Sequence, residues 1–226
     1  MSWIIGSCLL VWGISFWLGY LPLKRVYDTR YRDILVLLVG LLLFISAVQL
    51  LKENRIFTER TSSAVMAGLY ASVAGFFSGS AVQLYRLKKK SGTVLYSWRS
   101  FPTEILPGIV ALAMILFGLQ RMSLFGDLPV TPIRFTSGLS LISIGMWGFV
   151  LRLIPEFRRF CICILDTAID WDSLLAFQWV SEDVLEIEYE EETGIKTFTT
   201  RIPLHDRLKV EDLLKKKLLE KVSEGD

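Results

Sequence analysis

The chain is poor in the residues that most chemistry needs. It has one histidine, His205. A bis-histidine haem, a zinc site and a catalytic triad all need partners for that residue which the sequence does not supply, so His205 reads as an exposed loop residue. There are three cysteines, Cys8, Cys161 and Cys163. They match neither a disulfide framework nor a zinc pattern and read as structural thiols in a reducing setting. No Walker A, Rossmann or HExxH pattern occurs. The basic loops between apolar stretches are too short for a nucleic-acid patch. Catalytic, cofactor-binding and metal-ligating residues are therefore expected to be absent, which excludes the common enzyme classes and leaves action by binding.

Charge is absent where apolar residues are dense. Ser63–Tyr85 carries no charged residue, and at ~1.5 Å per residue a helix of that length crosses a hydrocarbon layer of about 30 Å. It ends in Arg86, Leu87, Lys88, Lys89 and Lys90, a cluster that the positive-inside rule assigns to the cytoplasm. Four more apolar stretches join it, giving expected membrane helices at approximately 2–21, 34–51, 63–85, 104–124 and 135–154. The first has no Lys or Arg before it and no small-residue cleavage site after it, so it reads as a retained helix rather than a signal peptide. The fourth is short and needs turns borrowed from Glu104 and from Gln120 to Leu124. The stretch from Ser91 to Thr103, with Tyr96, Trp98 and Phe101, reads as a loop lying against the headgroups.

The basic residues of the connecting loops can be counted by side. With the N-terminus outside, Lys24, Arg25, Arg30, Arg32, Arg86, Lys88, Lys89, Lys90, Arg99, Arg152, Arg158 and Arg159 fall inside, and Lys52, Arg55, Arg60, Arg121 and Arg134 outside. That bias favours five spans with a cytoplasmic C-terminus. No Asp, Glu, Lys, Arg or His lies near the centre of a span. Active carriers retain such groups for use, so an active carrier is disfavoured. A transporter or channel subunit whose path is lined by hydroxyls stays open as the alternative, with Ser137, Ser140 and Ser143 as its stripe. Gly68, Gly75 and Gly79 share one face of the third helix, a small-residue stripe suited to close helix packing, either with another subunit or within the same bundle.

From Phe160 the period changes to two. In Val184–Glu190, Leu185, Ile187 and Tyr189 alternate with Glu186, Glu188 and Glu190, the mark of a strand with one buried face. Phe160–Leu165, Ala176–Val180 and Ile195–Ile202 read as further strands, with Thr193 and Gly194 turning a hairpin. Val210, Leu213, Leu214 and Leu218 then recur at helical spacing. The expected architecture is a membrane α-helical bundle over 1–155 followed by a small cytoplasmic α+β module over 160–222, an antiparallel sheet closed by a C-terminal helix. The glutamates could meet a cation or a basic partner, or could simply be a solvated strand face. Trp171 and Trp179 read as core or as contact residues.

Ile169, Trp171 and Leu174, then Trp179, then the acidic strand from Asp183 to Ile187, carry a resemblance. This last third of the chain resembles the C-terminal domain of small uncharacterised bacterial multi-pass membrane proteins, a domain similar to bacterial pleckstrin-homology-like modules. The resemblance brings no known activity. It implies a lipid-adjacent or protein-binding role, with the bilayer and a membrane-protein partner or a second copy as the expected partners, and no nucleic acid.

Overall fold

The computed structural model describes residues 2–21, 31–98, 101–122, 129–151, 154–191 and 194–224. They divide into two compact units, one of Met1–Tyr85 with Ile105–Leu151 and one of Arg86–Glu104 with Arg152–Asp226.

The first unit is helical. It contains α1 (Ser2–Tyr20), α2 (Tyr31–Glu53), most of α3 (Glu59–Lys90), α4 (Leu106–Arg121) and α5 (Pro132–Val150). Among the described residues four stretches, Trp3–Tyr20, Glu59–Lys90, Phe101–Arg121 and Pro132–Val150, are long and apolar enough to cross a membrane. The remaining helix, α2, has 23 residues and is apolar from Ile34 to Leu51. Outward-facing side chains here are themselves apolar: Leu9, Leu10, Leu42, Leu43, Leu116 and Phe117 are each more than half exposed.

The ends of α4 and α5 differ from the expectation. α4 gains length at its start, from a π-helical turn at Phe101–Ile105, and runs through Gln120 to Arg121 with Met122 as its cap; the rest of the expected extension, to Leu124, lies outside the described residues. α5 begins at Pro132 and not at Phe135, because Thr131 caps it: the Thr131 hydroxyl accepts from the Arg134 amide at 3.3 Å, with proline at the first position, where its missing N–H is harmless. It ends at Val150 with Leu151 already extended, four residues short of the expected 154. Ile154 precedes Pro155, and a residue before proline is disfavoured in the α region.

Among the described residues the second unit holds seven strands in two antiparallel sheets. The order is β1-β2-β3-β4 in one, made of Val94–Ser97, Glu156–Arg158, Cys161–Ile164 and Thr167–Asp170, and β5-β6-β7 in the other, made of Leu174–Trp179, Val184–Glu191 and Gly194–Arg201. β1 overturns the headgroup-loop reading of Ser91–Thr103. Val94 pairs with Arg158, Tyr96 with Phe157 and Ser97 with Glu156. Chain order makes this pairing unusual, since α4 and α5 are inserted between its two strands. Tyr96 is buried in the core, and its hydroxyl donates to Asp206 at 3.1 Å. Burial, then the nearby carboxylate, pushes the Tyr96 phenol well above its ordinary range.

β6 alternates as its sequence suggests, with Leu185, Ile187 and Tyr189 buried. Gly194 opens β7 at φ +121° opposite Glu191, a conformation that favours glycine; Thr193, the other expected turn residue, lies outside the described residues. α6 (Arg207–Glu224) lays Val210 and Leu214, fully buried, against Phe157, Ile162, Leu174, Leu185, Ile187 and Phe198 in one continuous core. Glu211 and Lys215 pair on its outer face at 2.7 Å.

Candidate functional site

Gly75 and Gly79 lie against α1. A Cβ built on Gly75 would overlap the backbone of Trp12 and Phe16, and one on Gly79 the backbone of Phe16 and Tyr20. Gly19 of α1 makes the reciprocal approach to Phe76, and the Ser80 hydroxyl donates to Gly19 O at 3.1 Å. These glycines bring the two backbones together within one chain. Gly68 does not share the contact, because a Cβ there would meet nothing within 4 Å.

A second glycine contact joins α4 and α5, and sequence reasoning missed it. A Cβ on Gly118 would stand 2.7 Å from Gly138 O, and one on Gly145 2.7 Å from Ala111 O. The heptad spacing of Gly138 and Gly145 was the available signal. Ser137, Ser140 and Ser143 belong to the same buried face of α5. Their hydroxyls donate to carbonyls of their own helix: Ser137 to Arg134 O at 3.1 Å, Ser140 to Ser137 O at 2.8 Å and Ser143 to Leu139 O at 2.9 Å. Ser137 also accepts from Arg121 Nε at 2.9 Å.

In the second unit, Trp171 is buried and stacks on Phe157 with ring centroids 6.4 Å apart, and its Nε1 donates to Arg158 O at 3.0 Å. It is a core residue. Trp179 is half-buried, with the Arg207 guanidinium 4.6 Å from its ring centre. Glu186 accepts from Gln178 Nε2 at 2.6 Å, Glu188 sits between Ala176 and Thr197, and Glu190 is exposed opposite Ile195. The three carboxylates thus share an outward polar face with neutral cross-strand neighbours. His205 is 80 % exposed in a short 3₁₀ turn.

The densest chemistry lies where α3 ends. Glu156, whose side chain is 9 % exposed, accepts from Arg158 Nη2 at 2.7 Å and Nε at 2.9 Å, with Lys88 Nζ at 3.5 Å. Arg158 Nη1 in turn donates to Lys88 O at 2.8 Å and Gly92 O at 3.0 Å, and the Ser91 hydroxyl donates to Leu87 O at 2.8 Å. Lys88 O belongs to the last turn of α3, where helix carbonyls run out of amide partners, and the guanidinium takes it together with Gly92 O just beyond the helix. No family model, curated protein or solved structure matches this chain. β3 is buried on both faces: Ile162 and Ile164 enter the core, while Cys161 and Cys163 face Ser91, with Sγ atoms 3.5 Å apart and Cys163 Sγ 3.3 Å from Ser91 Oγ. The hydrogen bond with the Cys161 thiol, helped by Ser91 and Arg158, lowers Cys163 in spite of its burial, and the hydrogen bond with Cys163 together with burial pushes Cys161 up. Sequence reasoning missed the cluster because Lys88, Ser91, Glu156 and Cys163 meet only through the β1–β2–β3 pairing. Its arrangement is that of a clamp: charge-assisted bonds fasten the last turn of α3 to the sheet.

Proposed function

We propose that the chain is a multi-pass membrane protein of five spans, with its N-terminus outside and its second unit in the cytoplasm. It acts by binding, as an assembly factor, accessory subunit or regulator of a membrane complex. The observation that carries this reading is the insertion of the α4–α5 hairpin between β1 and β2. A hairpin whose two ends are joined by a β-ladder leaves and returns on one side of a bilayer, the side that also receives the basic end of α3. The pleckstrin-homology-like resemblance is supported by sheets of four and three strands closed by a C-terminal helix.

Binding, rather than conduction, is favoured by the serines of α5, whose hydroxyls are engaged with their own helix. Within the second unit, the outward face of β6 is available for contact, since Trp171 is committed to the core. The test is a mild-detergent affinity purification from the native host of three chains: the intact protein, one cut after Arg159, and one carrying Glu186→Gln, Glu188→Gln and Glu190→Gln. A defined complex that accompanies the intact chain and is lost from the truncated one supports the reading. The triple variant reports whether the acidic face makes the contact. The same homo-oligomer from all three, with no other protein, would overturn the reading.

A further inference from the structure

We infer that the end of α3 and the β2–β3 turn together form a binding surface for anionic phospholipid headgroups. The inference rests on the membrane reading proposed above. Two segments distant in sequence build the surface. The Arg159 amide donates to Thr93 O at 3.0 Å and the Phe160 amide to Ser91 O at 3.2 Å, which holds the turn Arg159–Phe160 beside Lys89–Leu95. Gly92, at φ +81°, permits the approach: a Cβ there would lie 3.0 Å from both Arg159 Cβ and Phe160 Cδ2.

Lys89, Lys90 and Arg159 are exposed and cationic, and Phe160 is 57 % exposed with the Arg159 guanidinium 5.3 Å from its ring centre. Val94 and Leu95 add exposed apolar area on the same strand edge. The neighbouring carboxylate, Glu156, is turned inward and held by Arg158 and Lys88, so it does not neutralise the patch. Cations around a solvent-facing ring fit a headgroup layer, where phosphates take the charges and the ring enters the interfacial zone. Position argues for lipid over a protein: Lys89 and Lys90 close the same helix whose Ser63–Tyr85 stretch is uncharged, so about one helical turn separates them from its apolar end. Each cation near an anionic leaflet is worth roughly fivefold in partitioning.

The full chain, reconstituted in phosphatidylcholine vesicles with 30 mol % phosphatidylglycerol and extracted in mild detergent, would be weighed with its bound lipids by native mass spectrometry. The expected result is enrichment of phosphatidylglycerol over phosphatidylcholine. It should fall roughly tenfold or more in the Lys89→Gln/Lys90→Gln/Arg159→Gln variant, and several-fold in Phe160→Ser. A charge-matched control, Lys209→Gln/Lys215→Gln/Lys216→Gln on α6, should keep the enrichment. An equal fall in the control, or no enrichment in a wild-type chain that resists carbonate extraction, would overturn the inference. A wild-type chain released by carbonate would instead show that the membrane reading has failed, and this inference with it.

Discussion

Arg158→Met removes the residue that fastens α3 to the sheet. Two changes follow. Glu156, buried beside β3, loses both guanidinium contacts, and the Lys88 and Gly92 carbonyls lose their donors. Breaking a buried ion pair by deleting one partner costs about 3–5 kcal/mol, more than the pair contributes when intact, because a charge is left in poor surroundings. The side chains are only 13 % and 9 % exposed, so screening is weak, but Lys88 at 3.5 Å still faces the carboxylate. The low end, about 3 kcal/mol, is therefore expected, a fall of roughly 150-fold in the folded-to-unfolded ratio. Pulse proteolysis of the full chain in lipid nanodiscs across a urea series would measure it, following the C-terminal fragment. Glu156→Gln should cost less, since an amide can still accept. The double variant should be more stable than the sum of the singles implies, by about 1–2 kcal/mol. Arg158→Met within 0.5 kcal/mol of wild type, or strict additivity, would refute the clamp.

Gly79→Leu should drive α1 from α3 and lower the yield of monodisperse protein by size exclusion, whereas Gly68→Ala should elute unchanged because nothing lies near its Cβ. Trp171→Ala should lose about 3–5 kcal/mol in the same proteolysis assay, as large buried aromatics do, and Trp179→Ala less, since its ring is half open. The Tyr96 phenol is raised in the folded protein, so its contribution is complete below about pH 10, the unfolded value, and is lost as pH rises towards the folded one. Tyr96→Phe should therefore flatten the alkaline limb of a stability–pH curve. Glu188→Gln should leave stability within about 0.5 kcal/mol, as expected for a solvated face between Ala176 and Thr197.

Features with a local cause could be read from the residues. Ser63–Tyr85 announces a helix by lacking charge, β6 a strand by alternating leucine, isoleucine and tyrosine with glutamate, and α6 its buried stripe by Val210 and Leu214. What escaped depends on distant partners. β1 has four residues, and nothing in them distinguishes a strand from a loop until Arg158 and Phe157 pair with it. Glu156 looks like a surface residue because its burial is tolerable only beside Lys88 and an Arg158 held in place by the Lys88 and Gly92 carbonyls, and those partners lie far away in the sequence. Phe160, expected in a strand, sits exposed in a turn for the same reason: the ladder that includes Cys161 is set by Asp170 across from it.

The hairpin inserted between β1 and β2 also sets an order of events during synthesis. β1 is made first and has no partner until two apolar helices have followed it from the ribosome. At ordinary elongation rates that wait is on the order of several seconds. Throughout it, Tyr96, buried in the finished fold, and the pairing edge of β1 wait without their partner, beside a bilayer that on the proposed membrane reading is still accepting α4 and α5. The first sheet can therefore close only after the hairpin has turned back, which makes its completion a report that both helices are in place. A chain whose hairpin fails to bring β2 back to β1 would keep an unpaired strand edge, the kind of surface that quality-control factors and other strands recognise.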